Sequence, residues 1–109
     1  MQKLEVFGAI RLKGQINISG SKNASLPILA ATLLSKKKVS LNNLPKNKDI
    51  ETMINLLKSL GSMIKFNKRK LIIDNSNQNK NFASYNLVKT MRAGILVLGP
   101  LLAKFGYAK

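Results

Sequence analysis

The sequence predicts a mixed helix-and-sheet domain, of α/β or α+β class, on three observations. Leu4-Glu5-Val6, Gln15 to Ser19 and Val39 to Asn43 alternate apolar with polar residues, the period-two pattern of a strand with one buried face. Ile50, Met53, Ile54, Leu57 and Leu60 share one face of a 3.6-residue helix. Met63 to Phe66 and Leu71 to Asp74 are short apolar runs on either side of Asn67-Lys68-Arg69, which reads as a hairpin. Strands and helices that alternate in this way belong to layered helix-and-sheet folds rather than to an all-helical bundle.

The elements follow in order. Leu4-Glu5-Val6 and Gln15 to Ser19 are the first expected strands, punctuated by Gly8 and Gly14. A helix is expected from about Asn23 to Ser35, with Pro27 in or near its first turn, where a missing N–H costs little. Val39 to Asn43 is the next strand, ended by Leu44-Pro45. The helix over Ile50 to Leu60 has Asn47 or Asp49 to cap its start and Gly61 to close its end. After the hairpin, Asn75 to Asn81 is a polar loop, and Leu87 to Lys104 is a third helical stretch interrupted at Gly99-Pro100.

Composition narrows the functional classes. A chain of 109 residues, 45% of them hydrophobic, suits one small domain with a modest core. The net charge of +15, from 19 basic and 4 acidic residues, invites a nucleic-acid reading. Against it, only Arg11, Arg69 and Arg92 are arginines, the lysines are scattered, and the aromatics form no evident stacking platform. Solvated lysines are the preferred reading, with a basic domain holding an acidic polymer as the alternative. Cysteine and histidine are absent, which excludes disulfides, thiolate zinc sites and a histidine general base within these residues. The start of the chain lacks the apolar core of a signal peptide, and the apolar run Ala93 to Ala103 is about half a membrane span and contains Pro100. A soluble, cytoplasmic protein without a membrane segment is therefore expected.

Gly20-Ser21-Lys22-Asn23-Ala24-Ser25-Leu26-Pro27 is the stretch with chemical content. It places a lysine and an asparagine at the mouth of an apolar helix. The first N–H groups of a helix lack internal acceptors and sit at the positive end of its dipole, so they attract anions. Lys22 adds a full charge, and Asn23 offers both a donor and an acceptor that can orient a ligand. A solvated turn with a helix cap is the plainer reading of the same residues.

The wider pattern resembles the bacterial UDP-N-acetylglucosamine enolpyruvyl transferases (1-carboxyvinyltransferases), which share a fold with the shikimate-pathway synthase. The resemblance rests on Leu12-Lys13-Gly14, Ile18-Ser19-Gly20 with Lys22-Asn23-Ala24, Leu26-Pro27-Ile28-Leu29, and Asn43-Leu44-Pro45 with Lys48-Asp49-Ile50. It continues through Leu87-Val88-Lys89-Thr90-Met91-Arg92-Ala93 and Leu98-Gly99-Pro100-Leu101 with Phe105-Gly106. Asn23, where the shikimate synthase usually carries serine, favours the sugar-nucleotide branch. Ser21 and Gly94 are mild departures from the pattern.

The resemblance implies a two-domain fold, an inside-out α/β barrel built from repeated βαβαββ units with the active site between the domains. It implies transfer of the enolpyruvyl group of phosphoenolpyruvate to the 3-hydroxyl of UDP-N-acetylglucosamine, the first committed step of peptidoglycan synthesis, with no metal or organic cofactor and no nucleic acid. Lys22 and Asn23 would bind phosphoenolpyruvate, and Arg92 would bind UDP-N-acetylglucosamine. Residues 1–20 would be strands that pair with the C-terminal domain, and residues 21–109 an incomplete N-terminal catalytic domain. No catalytic residue is expected within the chain, because the family's reactive cysteine falls beyond Lys109. These residues alone are expected to be inactive and to need the remainder of the enzyme, whether in the same chain or in a complementing one.

Overall fold

The structure, a computed structural model, describes residues 2–67, 70–83, 85–89 and 92–109, without the side chains of Tyr85, Leu87, Arg92 and Ala93. Its elements are α1 (Lys22–Ala31), which runs on into a 3-10 turn over Thr32–Leu34, then β1 (Val39–Asn42), α2 (Lys48–Ser59), β2 (Met63–Asn67) and β3 (Lys70–Asp74). A short α3 (Tyr85–Val88), a 3-10 segment over Arg92–Val97 and α4 (Leu98–Phe105) complete the chain. The order α1-β1-α2-β2-β3 matches the expected repeat unit apart from its leading strand.

Each boundary has a local cause. Ser21 is extended and its hydroxyl accepts from the Ala24 N–H at 3.3 Å, which caps α1. Pro27 lies within the helix, just past its first turn, and so removes the N–H that would reach the Asn23 carbonyl. Burial of Leu26, Leu29, Ala30 and Leu33 holds the helix together across that gap. In α2 the cap is Asn47, whose side chain accepts from the Ile50 N–H at 3.0 Å, while Asp49 and Glu51 complement the positive helix end. At its other end the Ser62 and Gly61 N–H groups reach the Leu57 and Lys58 carbonyls, both at 3.0 Å. Gly61 has φ +104°, the conformation that this double closure requires of the residue after the helix.

The sheet has the order β1-β3-β2, both pairs antiparallel. Leu41 and Phe66 flank Leu71, and Val39 and Ile64 flank Ile73, so these side chains share one face. Leu71 and Ile73 are buried in a single core with Leu29, Leu33, Met53, Leu56, Leu57, Leu60 and Leu101. Each such leucine contributes about 1.5–3 kcal/mol by leaving water. The Asn67 and Lys70 pair closes the hairpin; the expected turn residues Lys68 and Arg69 lie outside the described residues.

Three expectations are corrected. Residues 2–19 form neither helix nor strand, so Leu4 to Val6 and Gln15 to Ser19 are not strands here. A strand needs a ladder partner, and among the described residues β1 pairs with β3 alone. Their apolar side chains stay exposed, Leu4 at 89% and Ile16 at 87%. This arm raises the radius of gyration to 17.4 Å, against about 13 Å for a compact chain of this length. Secondly, Gly99-Pro100 does not break a helix. Pro100 is the third residue of α4, in its first turn, where proline is tolerated, and the helical run is continuous from the 3-10 segment Arg92–Val97 into α4.

The third correction concerns the polar loop after β3, which is partly buried structure. The Asn75 amide donates to the Thr32 carbonyl at 2.8 Å and accepts from the Ser62 hydroxyl. The Gln78 amide donates to the Leu60 carbonyl at 3.0 Å and accepts from the Lys104 ammonium at 2.7 Å. Lys104 also reaches the Asn75 carbonyl at 3.4 Å, and burial, with a smaller effect of Lys36, lowers its pKa below the ordinary lysine value. The ends of α1 and α2 are thereby tied to α4. At the start of this loop the Ser76 contacts, with the Ser76 N–H at 2.9 Å from Asp74, hold the Asp74 carboxyl below the usual carboxylate range.

The arm joins the packed region at Asn43. The Gly20 N–H donates to the Asn43 carbonyl, and the Asn43 amide donates to the Ile18 carbonyl, both at 3.0 Å. A Cβ on Gly20 would collide with the Asn43 carbonyl oxygen. Gly20→Ala is therefore expected to break this bond, move the arm and cost about 1–3 kcal/mol. A urea titration followed by far-UV circular dichroism checks this; an unchanged midpoint would mean that the junction is not held closely.

Candidate functional site

α1 and α2 begin side by side. Lys22 is the first residue of α1 and Asn23 the second, and both are exposed. Asp49, in the first turn of α2, holds the Lys22 ammonium at 3.0 Å. The two side chains are about equally accessible, at 44% and 41%, so water screens the pair and ligands can reach it. The core sets the spacing of the two helix starts, because Leu26 and Leu29 of α1 and Ile50, Met53 and Ile54 of α2 are buried together.

The electrostatics of this mouth favour anions. Two helix N-termini contribute partial positive charge, and the first N–H groups of each have no acceptor within the helix. Ser21 and Asn47 each occupy one of those donors. Lys22 brings a full positive charge, and Asp49 is the acidic group bonded to it. An ammonium has three donors, so the bond to Asp49 leaves two N–H groups of Lys22 for the oxygens of a phosphate or carboxylate. Asn23, the next residue of the same exposed first turn, carries an amide that can donate or accept.

The structure thus brings Lys22 and Asn23 together at one helix mouth, as their sequence adjacency implies. Arg92 begins the 3-10 segment, which packs against α1; its side chain lies outside the described residues. Sequence reasoning missed two residues. Ser21, noted only as a departure from the family pattern, is the cap of α1. Asp49, weighed as a possible cap for α2, leaves that task to Asn47 and pairs with Lys22. A charge pair between the starts of two helices leaves no periodic signal in the sequence. A separate groove, lined by Ile16, Asn17, Ile18, Asn42, Asn43, Asn67 and Lys70, lies where the arm passes the end of the sheet. Among the described residues no helix is long and apolar enough to cross a membrane.

Residues 6–109 match the family described as EPSP synthase (3-phosphoshikimate 1-carboxyvinyltransferase). All 109 residues align at 79% identity with a UDP-N-acetylglucosamine 1-carboxyvinyltransferase of Pelagibacter ubique (strain HTCC1062), covering 26% of that protein. A protein of the same name from Yersinia pestis (strain Pestoides F) is 53% identical over 106 residues, 97% of this chain and 25% of its own length. The chain therefore spans about a quarter of the length of these relatives. Among solved structures, the enolpyruvyl transferase NikO from Streptomyces tendae superposes with a TM-score of 0.76 at 20% identity, over 93% of this chain and 24% of that one. That likeness concerns the fold.

Proposed function

Because this chain belongs to the EPSP synthase family, we propose that it forms part of an enzyme transferring the enolpyruvyl group of phosphoenolpyruvate to the 3-hydroxyl of UDP-N-acetylglucosamine, with release of phosphate. The reaction is the first committed step of peptidoglycan synthesis, carried out in the cytoplasm. The observation that carries this reading is the 79% identity over the whole chain to a UDP-N-acetylglucosamine 1-carboxyvinyltransferase. Residues 21–109 belong to the N-terminal catalytic domain in this reading. Residues 1–20 complete a sheet in the other domain, which accounts for their exposed apolar side chains.

Lys22 and Asn23 bind phosphoenolpyruvate. The ammonium meets the phosphate and carboxylate charges, and the Asn23 amide selects the orientation of the bound anion. Arg92 binds the sugar nucleotide, where a guanidinium can grip phosphate oxygens with two parallel N–H groups. The remaining polypeptide supplies the opposite wall, excludes water and aligns the hydroxyl with the phosphate-bearing C2 of phosphoenolpyruvate.

The test is a chimera in which this chain replaces the corresponding quarter of the Pelagibacter ubique transferase. Phosphate release that needs both substrates is expected; a folded chimera without turnover, beside an active parent, would refute the assignment. In that chimera Arg92→Lys is expected to raise the KM for UDP-N-acetylglucosamine although the charge is kept. Loss of a charge-assisted fork is worth about 1.5–3 kcal/mol, or about one to two decades. An unchanged KM would remove Arg92 from the nucleotide site.

A further inference from the structure

We propose that Asp49 is a positioning residue for the Lys22 ammonium, holding it between the starts of α1 and α2 in readiness for the phosphoenolpyruvate anion. The proposal rests on the assignment of Lys22 above. Its observation is the 3.0 Å ion pair linking the first turns of the two helices.

A lysine at the first position of a helix has four rotatable side-chain bonds and every reason to extend into water. An untethered Lys22 would have to be ordered each time the ligand bound, and that ordering opposes binding. The bond to Asp49 restricts that freedom beforehand. Its own place is well defined, because it stands in the first turn of α2, where the helix dipole favours a carboxylate. Ile50, the next residue, is buried in the core that packs α2 against α1. Packing thus places the α2 backbone that carries the carboxylate, and the carboxylate holds the ammonium near it. One lysine donor is used and two stay available.

The carboxylate also repels an incoming anion. Both partners are about two-fifths accessible, so water screens that repulsion, and the N-terminus of α2 opposes it further. Positioning is the larger effect. The chain has only 4 acidic residues against 19 basic ones, and one of the four is bonded to the lysine that the reading above places on the substrate.

The experiment uses the chimeric transferase with Asp49→Ala, Asp49→Asn and Lys22→Ala, each alone, and with Lys22→Ala combined with Asp49→Ala. KM and kcat are measured for each substrate, and urea midpoints verify folding. Asp49→Ala is expected to lower kcat/KM for phosphoenolpyruvate about five- to tenfold and to leave the KM for the sugar nucleotide unchanged. Asp49→Asn keeps a carbonyl acceptor in nearly the same place and should recover most of that loss; it also serves if the alanine variant fails to fold. In the Lys22→Ala background, Asp49→Ala should have no further effect. Equal losses with and without Lys22, or full activity of Asp49→Ala beside an impaired Lys22→Ala, would overturn the positioning role alone. Full activity of Lys22→Ala would overturn the assignment of Lys22 and this proposal with it.

Discussion

Lys22→Ala in the chimeric transferase is expected to lower turnover by about 10²- to 10³-fold, the cost of removing one preorganised group aimed at reacting charge. On the proposed assignment, phosphate leaves phosphoenolpyruvate with the C–O bonding electrons, and a fixed ammonium at the α1 mouth would stabilise that charge without being rearranged first. The first-turn N–H groups of α1 remain in the variant, so some anion binding should survive while catalysis falls further. Lys22→Arg keeps the charge but changes its reach and geometry. It should bind phosphoenolpyruvate better than the alanine variant and still turn over slowly. Phosphate-release assays at saturating UDP-N-acetylglucosamine separate the two effects. Normal turnover by Lys22→Ala would take the helix mouth out of the active site.

Asn75→Leu is expected to destabilise the chain by about 2–4 kcal/mol, although leucine is close in size and the position is buried. Asn75 is 1% exposed and joins the Thr32 carbonyl at the end of α1 to the Ser62 hydroxyl beyond α2. Leucine would leave the Ser62 hydroxyl buried without a partner, at about 1–3 kcal/mol, and would take from the Thr32 carbonyl one of its two bonds, the other coming from the Ser35 N–H at 3.1 Å, at about 1 kcal/mol more. Ser62→Ala removes one bond of the pair and should cost about 1 kcal/mol. A domain of this size is stable by about 5–15 kcal/mol, so the leucine variant should show a clearly lower urea midpoint with an unchanged slope. Equal midpoints for the wild type and Asn75→Leu would mean that the buried amide does not hold the helices together.

Much of the core unit was legible in the sequence. α2 announced itself by the spacing of Ile50, Met53, Ile54, Leu57 and Leu60, by a capping Asn47 and by Gly61 at its close. The hairpin of β2 and β3 fell where two apolar runs flanked a polar turn. Periodicity, caps and closing glycines are properties of consecutive residues, so the sequence alone determines them. The pairing of Lys22 and Asn23 at a helix mouth is of the same kind, since both stand at the start of α1.

Other features depended on partners distant in the chain. The alternation in Gln15 to Ser19 is a strand pattern, but a strand exists only beside another, and the residues that would pair with it are not among its neighbours here. Asn75 and Gln78 look like loop residues because polarity alone suggests solvent; three converging helices bury them and satisfy their amides. Asp49 could be assigned to capping until the packing of α2 on α1 set it against Lys22. In each case the deciding quantity is a distance between segments far apart in sequence. Local pattern records which face of an element is apolar, and only the packed structure decides what that face, or the polar group beside it, meets.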